Sequence, residues 1–152
     1  MMPPMTGSTI LSPARRVLIA DDDVEYARLV ADTLAGAYDC RIVSVAEEAV
    51  KHFTEFDPAV VVAERWMGDA DGLFRLLRGL RSARADLGIL LTSTRPMSLA
   101  ETMQCWDVDV DGCLQKPVAP DELAARVDQV VRRIDAAREL HQATADIHPR
   151  EV

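Results

Sequence analysis

Val17-Leu18-Ile19-Ala20-Asp21-Asp22-Asp23 is a run of four apolar residues that ends in three carboxylates. A short run without alternation reads as a strand buried on both faces, because a strand with one wet face would alternate polar and apolar residues. The pattern recurs: VVVA at 60–63 is followed by Glu64, ILLT at 89–92 ends on Thr92, and GCLQ at 112–115 is followed by Lys116. A fifth segment, CRIVSV at 40–45, is mixed. Between the runs lie segments of helical length. In EYARLVADTLAG, Tyr26, Leu29, Val30, Thr33 and Leu34 fall on one face, and Gly36 closes the segment as a C-terminal cap. Strands alternating with helices predict a parallel sheet. The carboxyl ends of its strands form the ligand crevice, so Asp21, Asp22, Glu64, Thr92 and Lys116 are expected to converge there.

The last helix is expected to start with Asp121 as N-cap and Glu122 behind it, and to pack through Leu123, Val127, Val130, Val131 and Ile134. A weaker pattern continues through Ala137, Leu140 and Ile147, so residues 135–152 read as a helical extension or linker whose end, IHPREV, is frayed. Residues 1–14 read as a flexible tail and 15–134 as one domain. The opening segment has neither a basic start nor a sustained apolar run, which argues against a signal peptide, and no stretch approaches the roughly 20 apolar residues that span a bilayer.

The 152 residues suit one domain, with 49% hydrophobic residues to build its core. Seventeen basic residues against 25 acidic ones give a formal net charge of -8, which disfavours direct nucleic-acid binding. Cys40, Cys105 and Cys113 contain no CxxC pair and read as reduced thiols of a cytoplasmic protein. Trp66 and Trp106 read as packing residues in loops, with a partner-anchor role open, and His52, His141 and His148 as helix-surface residues.

The order of an acidic cluster after the first strand, a carboxylate after the third, Thr92 after the fourth and Lys116-Pro117 after the fifth resembles a response-regulator receiver domain from about residue 16 to 134. The segments VLIADDD, DPAVVVAERWMGDADG and QKPVAPDEL carry the likeness. The resemblance implies a doubly wound, five-stranded flavodoxin-like (βα)5 fold with an extended C-terminal helix. It implies that Asp21, Asp22, Glu64 and the Trp66 backbone carbonyl hold magnesium, with Asp22 a direct ligand. Glu64 stands at the phosphoacceptor position, Thr92 and Lys116 at the groups that contact a phosphoryl oxygen, and Thr92 and Cys113 at the switch positions. The Lys116-Pro117 bond is usually cis in relatives, and the Asp71-Gly72 turn matches the loop after the third strand.

Three departures stand out. Glu64 replaces aspartate and sets its carboxylate about 1.5 Å further out, by one carbon–carbon bond, which in-line phosphoryl transfer tolerates poorly. The displaced carboxylate imitates phosphoaspartate, though with one charge and two oxygens. Cys113 stands where relatives carry an aromatic switch residue, and Gly68 where proline is common, so the WMGDADG loop is expected to be more flexible.

The leading expectation is a phosphorylation-independent pseudo-receiver that acts by protein contact rather than as an enzyme. Its partner would be a histidine kinase, an output domain, another regulator or a second copy, contacted through the face of the fourth helix, fifth strand and fifth helix. Two rivals stand beside it: Glu64 as neutral drift in a domain kept for its surface, and a phosphatase or phosphotransferase resembling haloacid-dehalogenase-like proteins. Asp21, Asp23 and Glu25 fit the latter's first motif only partly.

Overall fold

The structure, a computed structural model, describes residues 15–65 and 70–147, the side chains of 70, 71, 146 and 147 excepted. In chain order it comprises β1 (Arg16–Ala20), α1 (Val24–Leu34), β2 (Asp39–Val43), a 3-10 turn (Ala46–Glu48), α2 (Ala49–Phe56), β3 (Val60–Glu64), α3 (Ala70–Ala83), β4 (Gly88–Ser93), α4 (Leu99–Val108), β5 (Gly112–Gln115) and α5 (Pro120–Ile147). The strands form one parallel sheet in the order β2-β1-β3-β4-β5. This is the doubly wound architecture expected from the sequence.

All five residues of β3 and all six of β4 are buried, which is why both read as continuous apolar runs. Successive side chains face opposite layers. Leu18, Val61, Ile89 and Leu91 join Phe53, Phe74, Leu77 and Val108 under α2, α3 and α4. Val17, Ile19, Val60, Val62 and Leu90 join Val30, Leu34, Leu123 and Val127 under α1 and α5. The order places β1 and β3 side by side although β2 separates them in sequence, so the crevice lies at their carboxyl ends.

Several local expectations need correction. Leu29 is 55% exposed and Thr33 is exposed; α1 packs through Ala27, Val30 and Leu34. Ala35, in right-handed helical conformation, is the C-cap, and the Leu34 carbonyl is satisfied by the Ala37 and Tyr38 N–H groups, so no left-handed residue is needed at Gly36. The last helix starts at Pro120, one residue before Asp121, because proline's fixed φ and missing N–H suit a first helical position. The Asp71-Gly72 dipeptide lies in the first turn of α3 rather than in a turn. Trp106 sits on α4, not in a loop, and is 72% exposed instead of packed. The expected tail of residues 1–14, the Trp66 and Gly68 positions, His148 and the frayed end lie outside the described residues.

α5 continues without a break past Ile134 to Ile147. Arg138 donates through Nε and Nη2 to Asp86 Oδ2, at 3.0 and 2.5 Å, and thereby ties the start of this extension to the α3–β4 loop. Beyond it Leu140 is largely exposed. No described helix is long and apolar enough to cross a membrane.

Candidate functional site

Asp21 follows β1 directly, its N–H donating to Val43 O at 3.0 Å, so sheet pairing fixes its backbone. Its Oδ1 accepts from Asp23 N at 2.8 Å, while Asp23 Oδ1 caps α1 by accepting from Tyr26 N. Glu64 ends β3 opposite Thr92 of β4. Lys116 follows β5, its N–H bonded to Ser93 O at 2.7 Å, and the Lys116-Pro117 peptide is cis.

These elements bring four of the expected residues together. Lys116 Nζ lies 2.9 Å from Asp21 Oδ2 and 3.0 Å from Glu64 Oε1. Thr92 Oγ1 is 3.4 Å from the same Glu64 oxygen. Asp21, Glu64 and Thr92 are buried and Lys116 nearly so. Burial pushes the Asp21 carboxyl above its ordinary value, outweighing the bonds from Lys116 and the Asp23 N–H. Burial alone would lower Lys116, but the two carboxylates outweigh it and raise the ammonium.

Asp22, by contrast, is exposed. Among the described residues no three His, Cys, Asp or Glu side chains are grouped to hold a metal ion. Two of the three carboxylates expected to bind magnesium pair with the Lys116 ammonium, and the Trp66 carbonyl is outside the described residues. Cys113, on β5, is exposed and stands 3.7 Å from Cys105 of α4.

Two contributors escaped the sequence reading. Tyr26 places its ring centroid 4.5 Å from Lys116 Nζ and donates its hydroxyl to Val118 O at 2.9 Å, bracing both sides of Pro117. Its membership of an apolar helical face was visible, but the contact is not local. Arg65 is buried and ion-paired with Glu101 of α4. A lone arginine after an apolar strand gives no signal of this.

The strand order and the charged cluster at its switch point define a doubly wound α/β domain of the signalling-receiver class. The chain belongs to the response regulator receiver domain family of two-component systems, whose profile matches residues 17–128. Among its relatives, the transcriptional regulatory protein BaeR of Escherichia coli O6:H1 is 26% identical over 143 residues, covering 93% of this chain and 58% of that protein. Response regulator MprA of Mycobacterium leprae is 31% identical over 136 residues, covering 87% and 59%. The chain thus spans under two thirds of these relatives' length. The CheY-like receiver domain protein of Methanospirillum hungatei superposes with a TM-score of 0.74 at 19% identity, over 81% of this chain and 98% of that one. NtrX of Brucella abortus does so with 0.76 at 19%, over 90% and 31%. At such identities the likeness is one of fold. The phosphatase alternative gains no support from these matches.

Proposed function

We propose that this receiver signals by protein contact independently of phosphorylation, with Glu64 held by Lys116 as a standing substitute for phosphoaspartate. The observation that carries the reading is the Lys116 ammonium 3.0 Å from Glu64 Oε1 and 2.9 Å from Asp21 Oδ2. Thr92 faces the same Glu64 oxygen. The hydroxyl and the ammonium that would contact a phosphoryl oxygen are therefore already directed at a carboxylate oxygen, the atom that would otherwise attack. The ammonium supplies the positive charge that a crowded carboxylate pair requires, and no step here uses magnesium.

The contact face of this proposal is α4 with β5 and α5. Leu99, Met103 and Trp106 are exposed on α4 at spacings of four and three, which sets them on one side of the helix. A histidine kinase, an output domain, another regulator or a second copy would dock there, with the 135–147 part of α5 serving as linker or second contact. The formal net charge of -8 makes nucleic acid and anionic membrane poor direct partners.

Acetyl phosphate with magnesium is the probe. The native chain is expected to show no acid-labile phosphoryl adduct by intact mass, and Glu64→Asp to acquire one. Efficient labelling of the native chain would overturn the reading.

A further inference from the structure

Cys113 and Cys105 lie apart from the Lys116 cluster. Their sulphurs are 3.7 Å from each other, Cys113 exposed on β5 and Cys105 buried beneath α4. A cleft of about 260 Å³, lined by Ser93, Pro96, Met97, Thr102, Cys113 and Gln115, gives small solutes access to the outer sulphur. We infer that Cys113 and Cys105 are a peroxide-responsive dithiol that closes to a disulfide joining β5 to α4.

The two environments divide the roles. Cys113 is the accessible nucleophile and Cys105 the sheltered resolving thiol. The hydrogen bond with Cys105, and the Arg126 guanidinium, hold the Cys113 thiol below its ordinary value against the effect of burial. The same bond and burial push Cys105 upward. Arg126 can approach because residue 112 is glycine: an added Cβ would lie 2.5 Å from Arg126 Nη2. Cys40 is on β2, at the far edge of the sheet, and burial with Asp39 pushes it up to about 11.

In the first step the Cys113 thiolate attacks one oxygen of hydrogen peroxide. The O–O bond breaks, hydroxide leaves and is protonated to water, and Cys113 becomes a sulfenic acid. Cys105 sulphur then attacks the sulfenic sulphur. The S–S bond forms, the S–O bond breaks, and hydroxide leaves with the Cys105 proton as a second water. Two thiols lose two electrons to one peroxide. The bond would pull the last turns of α4 toward β5 and shift the side chains at Leu99, Met103 and Trp106. That consequence rests on the partner face proposed above, whereas formation of the bond does not.

The test treats the full chain with hydrogen peroxide, blocks remaining thiols under denaturing conditions and maps peptides without reduction. Asp107, Asp109 and Asp111 separate the two cysteines in sequence, so cleavage before aspartate must leave the Cys105 and Cys113 peptides joined. The expected product is a monomer lighter by two hydrogens, with Cys40 still alkylatable and the link reversed by dithiothreitol. In the unoxidised chain Cys113, exposed and with its thiol held down, should alkylate severalfold faster than the half-buried Cys40, whose thiol burial holds up. Cys113→Ser, at an exposed position, should protect Cys105 from oxidation. Cys113 appearing as sulfinic acid while Cys105 stays a thiol, a link to Cys40 or to a second chain, or undiminished Cys105 oxidation in Cys113→Ser would each overturn the proposal.

Discussion

Arg65 Nη2 lies 2.5 Å from Glu101 Oε2, joining the residue directly after Glu64 to the first turn of α4. The Arg65 guanidinium also stacks 4.6 Å from the Phe74 ring centroid of α3. Glu101 Oε1 accepts from Ser98 N at 2.7 Å while Ser98 Oγ accepts from Glu101 N at 3.1 Å, so one carboxylate completes a capping box and holds a buried cation. A change at the end of β3 therefore has a direct route to the helix that carries the exposed Leu99, Met103 and Trp106.

Glu101→Ala removes the capping-box carboxylate together with the Arg65 ion pair, so it should destabilise the protein by more than the loss of a cap alone. Ser98→Ala removes only a cap and should cost about 1 kcal/mol. Urea unfolding at neutral pH measures both, and similar costs for the two would show that the Arg65 pair contributes little.

Lys116→Met leaves Asp21 and Glu64 buried without their shared cation. A loss of about 3–5 kcal/mol is expected, partly recovered in the Lys116→Met, Glu64→Gln double variant, which removes one of the opposing charges. A simple sum of the two single effects in the double-mutant cycle would contradict the shared-cation arrangement.

Two glycines separate rigid from yielding surroundings. A Cβ at Gly88 would lie 2.4 Å from Val130 Cγ1 and 3.2 Å from Ile134 Cδ1 and Val60 Cγ2, all in the packed layer under α5. Gly88→Ala should cost about 1–3 kcal/mol by overpacking. At Gly112 the closest obstacle is the free end of Arg126, which can swing aside and leave one core contact, Leu90 Cδ2 at 3.2 Å. Thermal melts should rank Gly112→Ala well above Gly88→Ala.

Stability should depend on pH in both limbs. The Ser98 N–H and Arg65 lower Glu101 against burial, and Arg138 with Arg84 lowers Asp86 although burial opposes them. Their contributions are present above the ordinary carboxylate range, about pH 4, and are lost as pH falls through the folded values. Asp21 acts in the opposite sense: raised by burial, it takes up a proton in the folded state first, which offsets part of the acid loss. Lys116 is raised, so its contribution is complete below the ordinary lysine value, about 10.4, and is lost as pH rises through the folded one. Urea midpoints across pH should show a shallower acid limb in Arg138→Ala and a weaker alkaline limb in Lys116→Met.

The sheet was legible because parallel strands covered on both faces must be apolar throughout, as 17–20, 60–63 and 89–91 are. The site was legible in outline because each run stops at a polar residue, and the strand ends share one crevice. The helices were less so. Leu29 and Trp106 are apolar yet exposed, since a helix buries only the side that a neighbour covers. Asp121 is a good N-cap by type, but Pro120 already satisfies the first helical position.

The sequence alone therefore determined the strand set, the layer architecture and the residues Asp21, Glu64, Thr92 and Lys116, because hydrophobic periodicity and strand termination are local properties of the chain. The tertiary structure alone decided how these groups pair: Lys116 with both Asp21 and Glu64 rather than a cluster of carboxylates with Asp22, Arg65 with Glu101, Cys113 beside Cys105. Asp21 and Lys116 stand 95 positions apart, and only the strand order brings them within 2.9 Å. Charge pairing falls off over a few ångströms, so it is set by distances that exist only after the sheet has formed.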